Sequence, residues 1–102
     1  MTYRVVYTDR VMADIAAKVD HLREQFVGEK TIEDWFAALF DRIDGLYDMP
    51  RLYGLDHPAT ERLGYKIHKL TYHKYIVHYR VNDETRTVYV LSFFHGSTRK
   101  EA

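Results

Sequence analysis

The sequence predicts an α+β domain of order β-α-α-β-β-β, in which a helical hairpin packs on one face of a mainly antiparallel sheet. Two early segments repeat apolar residues at three- and four-residue steps, the period of a helix that is buried on one side. Residues 64–95 are instead rich in aromatic and β-branched residues, which is typical of strands. The length of 102 residues is that of one domain, so we interpret residues 1–102 as a single unit.

The chain begins with a short predicted strand at residues 3–7, whose residues are aromatic or β-branched apart from one arginine. Thr8 or Asp9 can cap the helix that follows. Gly28 fits the C-terminal end of this helix. The predicted buried stripe of the first helix consists of Met12, Ile15, Val19, Leu22 and Phe26.

A second helix is predicted from residues 31–34, where Thr-Ile-Glu-Asp resembles a capping box with Asp in place of the usual Glu. Pro50 closes this helix, and residues 50–63 are predicted to be a loop because they contain two prolines and a glycine. Only a few residues join the two helices, which indicates an antiparallel hairpin. The wide apolar face of the second helix is made by Trp35, Phe36, Leu39, Phe40, Ile43, Leu46 and Tyr47.

Three strands then follow within residues 64–95, with a turn at residues 82–84 between the last two. The formal net charge is +0, but the charges are unevenly distributed. Residues 9–61 hold 12 acidic and six basic side chains, whereas residues 62–102 hold three acidic and eight basic ones. Such a chain presents opposite charges to different partners.

The strand region carries groups that could bind a polyanion or cleave RNA without a metal. Cations neutralise phosphate, rings stack on bases, and a histidine can transfer protons near neutral pH. Alternation places Lys66 and His68 on one face of their strand and His78 with Arg80 on one face of theirs. His95 falls where the last strand ends. The alternative is a half-buried sheet whose exposed face is simply basic.

The tyrosines of this region also allow two readings. They can stack on bases, or they can pack against the helices and cross-strand neighbours, as aromatic pairs do in sheets. The residues concerned are Tyr65, Tyr72, Tyr75, Tyr79 and Tyr89.

Several classes of function are not expected. The chain has no cysteine, which excludes disulfides and thiolate metal sites. We expect no metal and no cofactor, because the ligand clusters, the nucleotide-phosphate loop and the nucleophile elbow are all missing from the sequence. No apolar run approaches the length of a membrane span and no signal peptide is evident, so a cytoplasmic protein is expected.

The sequence is similar to the RelE/ParE superfamily, the toxin halves of bacterial type II toxin–antitoxin systems. Three segments carry the resemblance: Leu-Gly-Tyr-Lys at residues 63–66, Tyr-Ile-Val-His-Tyr-Arg-Val at residues 75–81, and residues 87–91 leading to His95-Gly96. They follow a predicted helical hairpin, so the resemblance spans nearly the whole chain and implies the fold derived above.

The superfamily has two branches, and the resemblance implies a different mechanism for each. RelE-like members cleave mRNA in the ribosomal A site, for which Lys66, Arg80 and His95 would be the catalytic residues here. His68 and Ile76 stand where a lysine and an arginine are expected in that branch, so the cationic set is incomplete. ParE-like members bind and inhibit DNA gyrase without a catalytic set, and the strand at residues 75–81 is closer to theirs. The arginine-rich end often seen in that branch is largely missing, since residues 94–99, just before Lys100, contain one arginine, Arg99.

From this resemblance we predict a toxin that inhibits growth, serves in plasmid stabilisation and is neutralised by a cognate antitoxin. Binding and inhibition of DNA gyrase is the preferred mechanism. The alternative is a ribosome-dependent mRNA endoribonuclease, so whether the protein is an enzyme stays open. The expected partners are the antitoxin and either gyrase or the ribosome with its mRNA, with no membrane and no small-molecule substrate.

Overall fold

The computed structural model describes residues 2–98, so Arg99 and Lys100 of the basic C-terminal part lie outside it. The secondary structure comprises four strands and three α-helices within this range. Their bounds are β1 Arg4–Tyr7, α1 Asp9–Glu24, α2 Glu29–Asp44, α3 His57–Leu63, β2 His68–Tyr72, β3 Tyr75–Asn82 and β4 Thr87–His95. Short 3₁₀ turns follow α2 at Gly45–Tyr47 and β4 at Gly96–Thr98.

The four strands form one mixed sheet in the order β1-β4-β3-β2. β2, β3 and β4 are antiparallel neighbours, and β1 lies parallel to β4 with Val5 opposite Val88. The helical hairpin of α1 and α2 packs on one face of this sheet, so the predicted α+β fold is confirmed. We call the opposite side the open face.

The core lies between the helical hairpin and the sheet. The deepest helical positions are Val11, Leu39 and Ile43, each with 0% exposure. The sheet contributes residues of β2, β3 and β4, namely Leu70, Tyr72, Val77, Tyr79, Val88, Val90 and Phe93, and Val5 of β1 packs against them.

The predicted stripe of α1 is correct in the middle and wrong at both ends. Met12 is 47% exposed and Phe26 is 95% exposed, whereas Val11 is fully buried. Thr8 caps the helix by accepting a hydrogen bond from the Val11 amide, and this start sets the phase that buries Val11 and Ile15. Phe26 falls beyond the end of the helix at a φ of 60°, so the helical period does not reach it.

The ends of the hairpin connection also differ from the prediction. Gly28 is the N-cap of α2 and not the end of α1, which stops at Glu24. α2 therefore begins at Glu29, before the predicted capping box. It ends at Asp44, and the apolar pattern continues through a 3₁₀ turn in which Leu46 is buried.

The predicted loop at residues 50–63 is wrong in its second half, because it contains α3. Asp56 caps this helix by accepting a hydrogen bond from the Ala59 amide at 3.3 Å. Pro58 lies in the first turn, where its missing N–H is harmless. Gly64 ends the helix in the left-handed conformation, at a φ of 81°.

The strand region starts later than predicted. β2 begins at His68, and residues 64–67 connect it to α3. Within residues 2–98, none of the helices is long and apolar enough to cross a membrane.

Candidate functional site

α3 covers part of the open face, where its N-cap contacts a buried histidine of β3. Val77 and Tyr79 of β3 face the hairpin, so the alternation of the strand turns His78 and Arg80 to the open face. There His78 Nε2 lies 2.7 Å from a carboxylate oxygen of Asp56, the N-cap of α3. Both side chains are almost completely buried, and the His78 ring also contacts the Phe94 ring edge-on. This part of the open face is therefore closed.

The remaining part of the open face forms a shallow cleft, which we call the Arg80 groove. It has a volume of about 360 Å³ and is lined by Thr8, Tyr65, Arg80, Asn82, Tyr89 and Leu91. The Arg80 guanidinium lies 4.4 Å from the centre of the Tyr65 ring, a cation–π distance. Tyr89 is directly opposite Arg80 in the β3–β4 register. The groove thus offers one cation between two aromatic side chains.

The five tyrosines of the strand region divide between the two faces of the sheet. Tyr72, Tyr75 and Tyr79 lie on the hairpin side, where they belong to the core or pack against it. Only Tyr65 and Tyr89 line the Arg80 groove. Of the two readings of these residues, packing is correct for three tyrosines, and the other two are placed where a ligand can reach them.

Lys66 lies at the same end of the sheet as Arg80, because it directly follows Tyr65. Its side chain is exposed and close to Asp83 in the β3–β4 turn. Arg51 holds the pKa of Asp83 below its ordinary value, chiefly through a hydrogen bond of 2.6 Å, and Tyr3 donates a second one. The positive charge of Lys66 adds to this lowering. Lys66 and the partly exposed Arg80 therefore lie at the same end of the sheet.

The histidines of the two predicted strand pairs fall on opposite faces of the sheet. His68 is opposite Tyr79 in the β2–β3 register and stacks on its ring, with centroids 5.1 Å apart, so it faces the hairpin side. Its Nδ1 donates to the Tyr53 carbonyl oxygen at 2.8 Å. His78 and Arg80 face the open side. Lys66 precedes β2, so it does not share a strand face with His68 as predicted.

His95 lies apart from the other two candidate residues. It pairs with Tyr75, and their rings meet edge-on with centroids 5.0 Å apart, which places His95 on the hairpin side. Its Nδ1 accepts a hydrogen bond from the Ser97 amide at 3.0 Å. Tyr75 and Arg80 are five residues apart along β3, a distance of roughly 16 Å in a strand. Lys66 follows Tyr65, which stacks on Arg80, whereas His95 lies on the other face, at the other end of β3.

The sequence analysis missed two features of this region. The Asp56–His78 pair was hidden because Asp56 belongs to a segment predicted to be a loop; its position two residues before Pro58 is the signal that could have revealed a helix cap. The stacking of Tyr65 on Arg80 joins residues that are 15 positions apart, which no local pattern predicts. Among residues 2–98, no group of three or more His, Asp or Glu side chains could hold a metal ion.

Comparisons with known proteins agree with this architecture. The family model described as the ParE toxin of type II toxin–antitoxin systems, parDE, matches residues 5–99. Among solved structures, the toxin–antitoxin complex RelBE2 from Mycobacterium tuberculosis is similar with a TM-score of 0.61, over 93% of this chain and 99% of that chain. Its sequence identity of 20% means that this likeness concerns the fold alone. No curated protein matches the sequence at a significant level.

Proposed function

Because the chain belongs to the ParE family of toxins of type II toxin–antitoxin systems, we propose that it arrests growth by binding and inhibiting DNA gyrase. In this proposal it acts in the cytoplasm, serves in plasmid stabilisation and is neutralised by a cognate antitoxin. The Arg80 groove supplies the accessible cation and rings that a macromolecular partner contacts.

The separation of His95 from Arg80 is the observation that carries the proposal. Metal-free RNA cleavage needs a general base and a general acid close to the phosphate-binding cations. In the described part of the chain, the residues that line the Arg80 groove include no histidine, aspartate or glutamate. A surface that binds without proton transfer fits this composition, and gyrase inhibition requires only binding.

A second candidate, ribosome-dependent mRNA cleavage, has one observation in its favour. Arg80 lies between the Tyr65 and Tyr89 side chains, with Lys66 next to Tyr65 in the sequence, an arrangement suited to phosphate and to stacked bases. In this mechanism Lys66 and Arg80 bind the phosphate and His95 acts as acid or base. His95 would then have to act from the opposite face of the sheet, which is why this candidate ranks second.

The antitoxin part of the proposal has its own support. The RelBE2 structure, which has a similar fold, is a toxin–antitoxin complex. The uneven charge adds to this, since residues 9–61 are acidic and the strand region is basic. A disordered antitoxin segment could fold onto such a surface as a helix and an added strand. Rescue of growth by a small binder encoded next to this gene is the expected result, and failure of both neighbours to rescue would contradict it.

Two assays on the purified protein separate the candidates. We expect the protein to inhibit supercoiling of relaxed plasmid by gyrase in a concentration-dependent manner. In a translating extract analysed by primer extension, we expect no new mRNA ends at A-site codons. Unaffected supercoiling together with cleavage at A-site codons would reverse the ranking.

A further inference from the structure

The tip of the helical hairpin presents an unusual residue. Phe26 is 95% exposed and has a φ of 60°, in the left-handed region. Bulky residues rarely adopt this conformation, and glycine or asparagine is preferred there. The position therefore combines backbone strain with an aromatic ring left in water, and neither is offset by a contact of this side chain within the core.

An apolar groove lies next to this tip, between the two helices and the end of the sheet. We call it the hairpin groove; it is lined by Leu22, Val27, Ile32, Trp35 and Tyr75, with the Lys18 ammonium 5.0 Å from the centre of the Tyr75 ring. Its volume is about 160 Å³. An apolar cavity of about 150 Å³ in another protein accepts benzene, so the groove has room for one aromatic ring.

The exposed ring and the groove are two complementary parts of one small surface. Phe26 does not line the groove of its own chain, and Val27 beside it does. We propose that two copies of this chain associate through a twofold axis at the hairpin tip, with Phe26 of each copy inserted into the hairpin groove of the other. A twofold axis makes both contacts at once, because the same surface patch serves both copies.

Charges around the tip favour the same occupant. Glu24 lies two residues before Phe26 and is exposed, and Lys18 lies beside the groove. When Phe26 of one copy enters the groove of the other, Glu24 of the first copy should come near Lys18 of the second, and the two side chains carry opposite charges. Two rings and two grooves form a contact well below about 1,200 Å², which is typical of weak, reversible association. Self-association should therefore depend on protein concentration over the micromolar to millimolar range.

Sedimentation velocity of the full chain over a concentration series tests this proposal. We expect the wild-type protein to shift from monomer to dimer as its concentration rises. Phe26→Gly and Phe26→Asn should raise the dissociation constant at least tenfold. Both residues tolerate the left-handed conformation, so the variants should melt at the same or a higher temperature, and loss of dimer cannot then be ascribed to unfolding. Leu52→Ala is the matched control, since Leu52 is 55% exposed but lies in the loop after α2.

A charge exchange gives an independent readout. Lys18→Glu and Glu24→Lys should each weaken the dimer, and the double variant should restore it. A wild-type protein that stays monomeric up to millimolar concentration would overturn the proposal. It would also be overturned if the dimer persisted undiminished in both Phe26 variants, or if Phe26 replacement weakened antitoxin binding while leaving self-association unchanged. None of these outcomes depends on whether gyrase is the target.

Discussion

Two buried tyrosines on the hairpin side of the sheet differ in one hydrogen bond. The Tyr72 hydroxyl donates to the Trp35 carbonyl oxygen at 2.8 Å. The Tyr79 hydroxyl is buried and forms no hydrogen bond of good geometry within residues 2–98, because the Tyr53 backbone near it offers at most a weak one. An unpaired buried hydroxyl lowers stability, because it loses its bonds to water without replacing them. The pair offers a direct comparison of a satisfied and an unsatisfied group in the same sheet.

We expect removal of the two hydroxyls to have different effects on the free energy of unfolding. Tyr72→Phe should lower it by about 1 kcal/mol, because a buried hydrogen bond is lost. Tyr79→Phe should leave it unchanged or raise it by up to about 1 kcal/mol. Urea denaturation of the wild type and both variants measures the difference. Equal losses in the two variants would contradict the assignment of Tyr79 as unpaired.

Burial of Tyr79 also predicts a loss of stability in alkali. Burial raises the pKa of Tyr79 to about 12, from the ordinary value of 10.0. Between these two values the unfolded chain releases the phenolic proton while the folded chain keeps it, so the free energy of unfolding falls as pH rises. Burial and a hydrogen bond to Asp44 raise the pKa of Tyr7 as well, which adds to the same trend.

Denaturation curves between pH 9 and 11.5 measure this effect. The stability of the wild type should be level below about pH 10 and should decline above it. The decline should be shallower in Tyr79→Phe, because one of the two contributing groups is removed. A parallel decline in both proteins would show that Tyr79 does not contribute.

At the scale of elements, Asp56 has two tasks in holding α3 on the sheet. One Asp56 carboxylate oxygen accepts the Ala59 amide hydrogen bond at the start of α3, and the other lies against His78 of β3. A seven-residue helix has little stability of its own. The cap and the Asp56–His78 contact therefore both help to keep α3 on the open face, together with the hydrogen bond from the Ile67 amide to the Thr60 hydroxyl.

Two substitutions separate these tasks. Asp56→Ala removes both contacts and should lower the free energy of unfolding by about 3 kcal/mol, since the cap is lost and the buried His78 loses its carboxylate contact. Asp56→Asn retains an oxygen for the cap and should lose clearly less. Thermal or urea unfolding measures both, with Asp48→Ala as an exposed control. Similar losses in Asp56→Ala and Asp56→Asn would mean that the cap contributes little.

The sequence predicts the two helices that have a long apolar pattern, α1 and α2. It does not predict α3, whose pattern is too short to show a period. The periodic stripes of α1 and α2 identify both helices, although the pattern of α1 was extended into Phe26, beyond the helix end. α3 has only one buried apolar residue, Ala59, so no period is visible. Its start and end signals, Pro58 and Gly64, are also ordinary loop residues. Local pattern could not distinguish a capped short helix from a turn.

At the scale of the whole molecule, the sheet order decides which candidate residues meet. The alternation of β3 predicts that His78 and Arg80 share a face, and this is confirmed. The sequence could not relate the end of β4 to that face, because a register shift lies between His78 and Tyr79 in the β3–β4 pairing. Such irregularities change which side a later residue occupies. His95 therefore lies on the hairpin side.

This separation predicts how two variants behave under the proposed function. His95→Ala should retain inhibition of gyrase supercoiling within about twofold of the wild type. Arg80→Ala should weaken inhibition about tenfold or more, a typical effect of truncating an arginine at an interface. Titration of each purified variant in the supercoiling assay measures both, and circular dichroism confirms that they are folded. The reverse order of effects would remove the Arg80 groove from the binding surface.

The parallel pairing of β1 with β4 determines when the sheet of this protein can be completed during synthesis. Val5 pairs with Val88, which the ribosome adds more than eighty residues later. Until Thr87–His95 has left the exit tunnel, β1 lacks its only neighbour in the sheet and β3 lacks one of its two. Contacts of such long sequence separation also form slowly. We therefore expect the nascent chain to remain inactive until β4 has emerged and paired with β1 and β3.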